Sequence, residues 1–331
     1  MTPHDHALAA FQGLAIGDAL GMPTQSMSLD EIRADHGRIE GFVDAGPRQR
    51  IAHGMPATSV TDDTEQAVLV ARLLVEGDGR LDPTRFAEAL IAWERAMAAK
   101  GSLDLLGPST KTAVQRILDG VPVSEAGSTG TTNGAAMRIT PVGITTRADD
   151  LDALVDAVQD ACRVTHDTGL GIAGAAAVAA AVSAGIDGAS RTEALDVAVA
   201  AARIGERRGH WVAGASIAAK TSWARGFLPT IAADERIATV DGVIGTSVAS
   251  QESVVAALAL VSLDLDPWET LCTAASLGGD TDTIAAMAGA VLGAVHGPSA
   301  WPDGAAEQVE RVNDLRFADV VTPLLALRPS A

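Results

Sequence analysis

The sequence predicts a mostly α-helical protein, and three observations carry that prediction. Alanine dominates an apolar fraction of 47%, and alanine combines the best helix propensity with a side chain small enough to let helix axes approach closely. Aromatic residues make up 3% of the chain and tyrosine is absent. Apolar residues recur at helical spacing in segment after segment, whereas alternating β-branched runs are nearly absent, the one short exception being residues 233–245 (ADERIATVDGVIG).

In chain order the helical pattern covers residues 5–20, 65–77, 83–99, 109–120, 148–165, 169–186, 192–209, 251–263, 267–277 and 283–297. Gly77 with Asp78 and Gly79, Gly120 before Pro122, and Gly297 before Pro298 stand where helices should stop. The stretches 44–58 and 122–134 are rich in turn residues, but no change of composition accompanies them. They read as loops on a single domain spanning residues 1–331, with no internal repeat of solenoid period.

A chain of 331 residues with 20% charged content can bury a large core and is not disordered. Its 24 Lys and Arg against 42 Asp and Glu give a formal charge of −18, which lacks the basic footprint that nucleic acids and anionic membranes require. The same acidity suits carboxylates gathered around divalent cations. Cys162 and Cys272 form neither a disulfide framework nor a zinc spacing, and read as buried small hydrophobes. No apolar run reaches the length of a membrane span without polar interruption. Residues 169–186 are Ala and Gly rather than Leu and Ile and read as a buried helix. A cytoplasmic protein, monomeric or weakly homo-oligomeric, is expected.

The chemistry concentrates in two acidic loops, each ahead of a periodic helix. Thr61-Asp62-Asp63-Thr64 precedes the helix at 65–77, and Gly278-Gly279-Asp280-Thr281-Asp282-Thr283 opens the helix at 283–297. Asp and Thr at a helix start cap free N–H groups and oppose the dipole. A cap needs one acceptor, however, and each loop offers two carboxylates with flanking hydroxyls; adjacent carboxylates repel unless a cation compensates them. An oxygen-only ligand set selects hard divalent ions, so a fold that joins the loops would make a two-metal site.

These residues carry a family resemblance. GLAIGDALGMPTQ at 13–25, SVTDDTEQAVLVA at 59–71, TNGAAMRITPVG at 132–143, THDTGLGIAGAAAVA at 165–179 and SLGGDTDTIAAMAGAVLGA at 276–294 together resemble the ADP-ribosylglycohydrolase family over nearly the whole chain. The resemblance implies an all-α, compact orthogonal helical bundle with a central dinuclear metal cleft. It implies that Thr61, Asp62, Asp63, Asp280, Asp282 and Thr283 bind two divalent cations, Mg²⁺ or Mn²⁺, and that Asp62, Asp63 and Asp280 are the catalytic carboxylates. Two such ions would grip vicinal ribose hydroxyls and activate water for cleavage of a ribosyl glycosidic bond.

The loop Gly130-Thr131-Thr132-Asn133-Gly134 matches the family's substrate loop, and its small residues free backbone N–H groups for a phosphate or ribose. Arg138 either faces a pyrophosphate or braces this loop, and His166 corresponds to a family histidine near the bound ribose. Asp18, within an apolar helix, needs a buried partner and reads as structural before catalytic. Two departures stand out: Gln25 occupies a substrate-facing position where the family commonly has a glutamate, and the substrate loop has no aromatic residue on which adenine could stack. Trp211 and Trp223 offer a replacement surface but read first as core residues.

The expected reaction removes ADP-ribose from an ADP-ribosylated protein. The alternatives are hydrolysis of a smaller ribosylated metabolite, or a non-catalytic ADP-ribose-binding or structural role, against which six retained ligand candidates argue. No phosphate-loop, zinc-protease or serine-hydrolase motif is present.

Overall fold

The computed structural model describes residues 1–102 and 106–330. Among them every named element is helical: α1 (Pro3–Gly21), α2 (Leu29–His36), α3 (Asp62–Glu76), α4 (Pro83–Ala99), α5 (Pro108–Leu118), α6 (Val123–Ala126), α7 (Gly134–Met137), α8 (Thr140–Thr145), α9 (Leu151–Cys162), α10 (Gly169–Ile186), α11 (Arg191–Gly205), α12 (Ile217–Phe227), α13 (Ala233–Thr239), α14 (Ser250–Val261), α15 (Pro267–Ala274), α16 (Thr281–His296), α17 (Ala305–Asn313) and α18 (Phe317–Ala326). The fold is all-α, and each helix read from periodicity forms within a few residues of its expected bounds. The stops act as expected too: Gly77 is the C-cap of α3, and Gly120 and Gly297 take φ of 90° and 66°.

The centre of the molecule is the pair α1 and α16, packed backbone to backbone. Gly13, Gly17 and Gly21 recur every fourth residue and so line one face of α1. A Cβ on Gly13 would stand 2.2 Å from the Gly289 carbonyl oxygen, one on Gly17 2.1 Å from that of Ala285, and one on Gly21 2.4 Å from the Asp282 Cα. No side chain fits between these axes. The contact fixes where Asp18, beside Gly17, and Asp282, at the start of α16, sit relative to each other. Against this pair lies α10, buried along its whole length.

Three expectations are corrected. Residues 233–245 form α13 and a π-helical turn, Val240–Ile244, rather than a strand. Val240 and Ile244, four apart, are the buried pair there, so the interval that matters is helical. The loop at 122–134 contains α6. Trp211 is 86% exposed, and Trp223 is exposed and stacked on Phe227 with ring centroids 5.2 Å apart; neither is a core residue.

Gly169–Ile186 and Thr281–Ala300 are long and apolar enough to cross a membrane by length and composition, more than the sequence reading allowed, and most of both segments is buried within the protein. Cys162 and Cys272 are buried as expected, and burial pushes their thiols up to about 12 and about 11.

Candidate active site

The front acidic loop is held from below by Asp18. This α1 carboxylate is fully buried and accepts hydrogen bonds from the backbone N–H and the hydroxyl of both Thr61 and Thr64, with Thr61 N at 3.0 Å and Thr61 Oγ1 at 2.8 Å. Burial raises its pKa to about 6 even though these four donors favour the ionised form. The same Thr61 hydroxyl caps α3 by accepting from Asp63 N. Asp18 therefore sets where the α3 N-terminus, with Asp62 and Asp63, is placed. An Asp18→Asn variant turns an N–H₂ towards N–H and O–H donors, so its unfolding free energy, measured by urea denaturation, is expected to fall by about 2 kcal/mol.

The back loop turns on Gly278 and Gly279, at φ of 88° and 75°. Gly279 N donates to Met27 O and its carbonyl accepts from Ser26 N, tying this loop to the segment that carries Gln25. Asp280 N donates to Thr246 O at 2.7 Å. The two loops meet: Thr283 Oγ1, at the start of α16, donates to Asp63 Oδ2 at 3.2 Å.

A cleft of about 340 Å³ opens above this meeting point. Gln25, Asp62, Asp280, Asp282 and Thr283 line it, as do Thr132, Asn133 and Gly134 of the loop expected to hold the substrate. Thr61 and Asp63 are buried beneath the wall, and Gly130, Thr131 and His166 are not on it. No aromatic side chain lines the cleft among the described residues.

The loop 130–134 is tied down by hydrogen bonds from several elements. Ser109 Oγ accepts from Thr131 N and Thr132 N, Ser250 donates its N–H to Thr131 O and its hydroxyl to Thr132 O, and Thr168 Oγ1 donates to Gly130 O. A Cβ at Gly130 would fall 1.9 Å from Thr165 O, so only glycine fits. Asn133 Nδ2 donates to Asp280 Oδ2 and to Ser253 Oγ, joining loop and acidic cluster.

Arg138 takes the bracing role rather than facing a phosphate. It is buried, lies 5.1 Å over the Phe86 ring, and donates to Gln66 Oε1 and Thr165 Oγ1; burial lowers its pKa to about 10. Gln66 in turn donates to Asp62 Oδ2 at 2.8 Å. The sequence offered a signal for Gln66, one helical turn after Asp62, and it was missed. The contribution of Thr110 and Lys111 to the cleft wall had no such signal.

His166 is fully buried behind the loop, with Nε2 2.9 Å from Thr132 Oγ1 and Nδ1 2.7 Å from Thr165 Oγ1. Burial, with the Arg138 charge, pushes its pKa well below the usual histidine value, so the folded protein holds it neutral. The stability this contributes is complete above the unfolded pKa near 6.5 and is lost as pH falls towards the depressed folded value. Below about pH 6.5 the unfolding free energy of wild type relative to His166→Gln is therefore expected to fall by about 1.4 kcal/mol per pH unit. Urea titrations of both proteins from pH 5 to 8 check this; parallel curves would contradict it.

The acidic cluster fits a hard cation. Asp63 Oδ1 is buried without a hydrogen-bond partner, and burial together with Asp282, Asp62, Asp18 and Asp280, in that order, raises the Asp63 pKa well above the ordinary range. Asp280 is raised by burial against its bonds from Asn133 and Thr283. Such crowding is costly without a positive charge, and every candidate donor is an oxygen, as Mg²⁺ or Mn²⁺ prefers. Among the described residues, no three His, Cys, Asp or Glu side chains are drawn together as a ready-made cage. Proximity comes from the backbone of the two loops.

Comparison with known proteins bears on the family and the fold. The sequence profile described as ADP-ribosylglycohydrolase matches residues 1–329. The chain belongs to the ADP-ribosylglycohydrolase family. Membership makes it a glycosidase. It is 36% identical to the Escherichia coli protein YegU over 98% of this chain and 97% of that one. It is 28% identical to the Pseudomonas putida ADP-ribosylarginine hydrolase Tri1, over 93% of this chain and 74% of that one. A solved ADP-ribosylglycohydrolase-related protein complex superposes with a TM-score of 0.68 at 24% identity, covering 99% of each chain, and so shares the fold.

Proposed function

We propose that this protein, as one domain, is a divalent-cation-dependent hydrolase that removes ADP-ribose from an ADP-ribosylated acceptor. The observation that carries this reading is the convergence of Asp62, Asp280 and Asp282 with Thr132, Asn133 and Gly134 on one cleft. Family membership and the arginine-ADP-ribose specificity named for the Pseudomonas relative support the substrate class.

Thr61, Asp62, Asp63, Asp280, Asp282 and Thr283 would hold two cations, Mg²⁺ or Mn²⁺. When bound, these supply charge compensation and Lewis-acid polarisation at the ribose. The chain's own residues do the rest. The Gly134 end of the substrate loop receives the ribosyl group, with backbone held by Ser109 and Ser250 so that little order is lost on binding. Asn133 holds Asp280 Oδ2, and Gln66 holds Asp62 Oδ2. Gln25 carries an amide that cannot act as a base, so Asp62, on the cleft wall, takes a proton from the water that attacks the anomeric carbon as the bond to the acceptor breaks, and the departing acceptor takes up that proton. Gln25 Nε2 is buried without a hydrogen-bond partner at the cleft wall and donates to the substrate. His166 keeps Thr132 in place and does not touch the substrate.

A smaller ribosylated substrate is the second reading, favoured by the absence of an aromatic ring on the described cleft wall. Mass spectrometry of products released in Mg²⁺ or Mn²⁺ from arginine- and serine-ADP-ribosylated peptides and from nucleosides decides between the two. Free ADP-ribose, lost in an Asp62→Asn, Asp282→Asn double variant, supports the first reading. Free ribose from nucleosides supports the second, and no product from any substrate sinks both.

A further inference from the structure

We propose that Arg138 is a positioning residue for this cleft: acting through Thr165 and His166, it fixes the Thr132 hydroxyl as a hydrogen-bond donor into the cleft, towards a substrate whose identity rests on the hydrolase reading above. Behind the loop 130–134 these four side chains form one unbroken chain. Arg138 Nη2 donates to Thr165 Oγ1 at 2.7 Å, Thr165 Oγ1 lies 2.7 Å from His166 Nδ1, and His166 Nε2 lies 2.9 Å from Thr132 Oγ1. Arg138, Thr165 and His166 are buried, and of the four only Thr132 reaches the cleft wall.

The direction of each bond follows from counting protons. A guanidinium only donates, so Thr165 Oγ1 accepts from Arg138 and has its own hydroxyl proton left to place. Among the described residues, the one other group bonded to that oxygen is His166 Nδ1. Were Nδ1 to carry the ring proton, two donors would face Thr165 Oγ1, and its buried O–H would have no acceptor, which is costly. Nδ1 is therefore bare and accepts from Thr165. Burial holds the ring neutral, so the single ring proton sits on Nε2 and is donated to Thr132 Oγ1. The Thr132 oxygen accepts from His166, and its own proton has no acceptor behind the loop.

The backbone of Thr132 is engaged separately, its N–H with Ser109 Oγ and its carbonyl with the Ser250 hydroxyl. What remains is one O–H on the cleft wall, donating outwards. Arg138 makes this direction permanent. A chain of hydroxyls and a neutral histidine can run either way, whereas one anchored on a guanidinium runs only away from it. The anchor itself is held by Gln66 Oε1, which accepts from Nη1, and by the Phe86 ring 5.1 Å from the guanidinium. Asp62, Asp280 and Asp282 on the same wall only accept when ionised. Thr132 therefore meets a ligand oxygen that accepts, while the carboxylates meet groups that donate.

Two readouts test this. In protein labelled with 15N-histidine, the His166 ring, identified by its absence from His166→Gln, is expected to carry its proton on Nε2 at pH 8. A ring protonated on Nδ1 would overturn the proposal whatever the ligand. Arg138→Met is expected to mix the two tautomers. Thr165→Val should do the same, and stands in for Arg138→Met if that variant does not fold; Thr165→Ser should restore the Nε2–H form. The second readout is the Kd for ADP-ribose, by calorimetric titration in Mg²⁺. Thr165→Val and Thr132→Val are each expected to raise it about tenfold, and the double variant also about tenfold, because Thr165 acts only through Thr132. A double variant about a hundredfold weaker, the product of two independent losses, would leave Arg138 and Thr165 as supports of the fold and overturn the proposal. Should the wild-type protein not bind ADP-ribose, the hydrolase reading fails, and the tautomer still decides this one. A change of tautomer in Thr165→Val, reversed in Thr165→Ser, supports it, and an unchanged ring in Thr165→Val overturns it.

Discussion

An Asp282→Asn, Asp62→Asn double variant is expected to lose about a thousandfold in kcat on an ADP-ribosylated peptide while becoming more stable than wild type in the absence of divalent cations. The two effects share one cause. Asp282 and then Asp62 are the strongest charged contributors to the raised pKa of buried Asp63, so converting them to amides relieves repulsion that the fold otherwise carries. A gain of about 1–2 kcal/mol is expected from one relieved carboxylate pair at this depth.

The sign with pH follows from Asp63 being raised. In the metal-free protein its favourable contribution is complete below the unfolded value of 3.8 and is lost as pH climbs through the elevated folded value. The stabilisation by the two amides should therefore be largest at neutral pH and shrink on acidification. Added Mg²⁺ or Mn²⁺ should raise the Tm of wild type by mass action and barely move that of the variant. Thermal unfolding of EDTA-treated protein with and without cation, alongside turnover, checks the whole set. A variant less stable than wild type at pH 7 would show that the carboxylates are compensated without a cation, and the two-cation reading would lose its physical basis.

Gly17→Val is expected to abolish folding or to lower unfolding free energy by at least about 4 kcal/mol. Even one added methyl group meets the Ala285 carbonyl oxygen at 2.1 Å, and neither partner is a flexible side chain that can turn away. Overpacking of this kind forces the helix axes apart. Two alanine variants separate stability from function along the same contact. Gly293→Ala presses on Ala9 O at 2.0 Å, at the end of α16 away from the acidic loops. Gly21→Ala presses on the Asp282 Cα. Both should lower Tm, and Gly21→Ala should in addition weaken cation binding and activity in the protein that remains folded. Equal activity per folded molecule in the two variants would mean that Asp282 tolerates displacement.

The helices were legible because their alanine-rich periodicity and glycine stops are local properties. The acidic loops were legible for a similar reason: two carboxylates at one helix start exceed what capping needs. Residues 233–245 misled because β-branched residues and a π-helical turn share local spacing, and burial of Val240 with Ile244 is decided by neighbouring helices. Trp211 and Trp223 misled because a large apolar side chain is usually enclosed, and nothing in the surrounding residues announced a surface position. The roles of Arg138 and His166 depend on what lies behind the loop. Sequence placed them near the substrate loop, but only the fold puts Phe86, Gln66 and Thr165 around them.

The α1–α16 contact also bears on how the protein comes into being. Gly13 and Gly289 touch across most of the length of the chain, and Asp63 meets Thr283, at the acidic helix start that supplies Asp282, across more than 200 residues. During synthesis α1 is made long before α16 and cannot bury its glycine face against that helix until the intervening elements have followed. Contacts of such separation slow folding and leave apolar surface waiting. A nascent chain that stops short of Gly278 therefore has half of the carboxylate cluster and an incomplete cleft wall. The cleft is assembled only once α16 joins α1 and α3, and the carboxylates of the front loop wait for their partners until then.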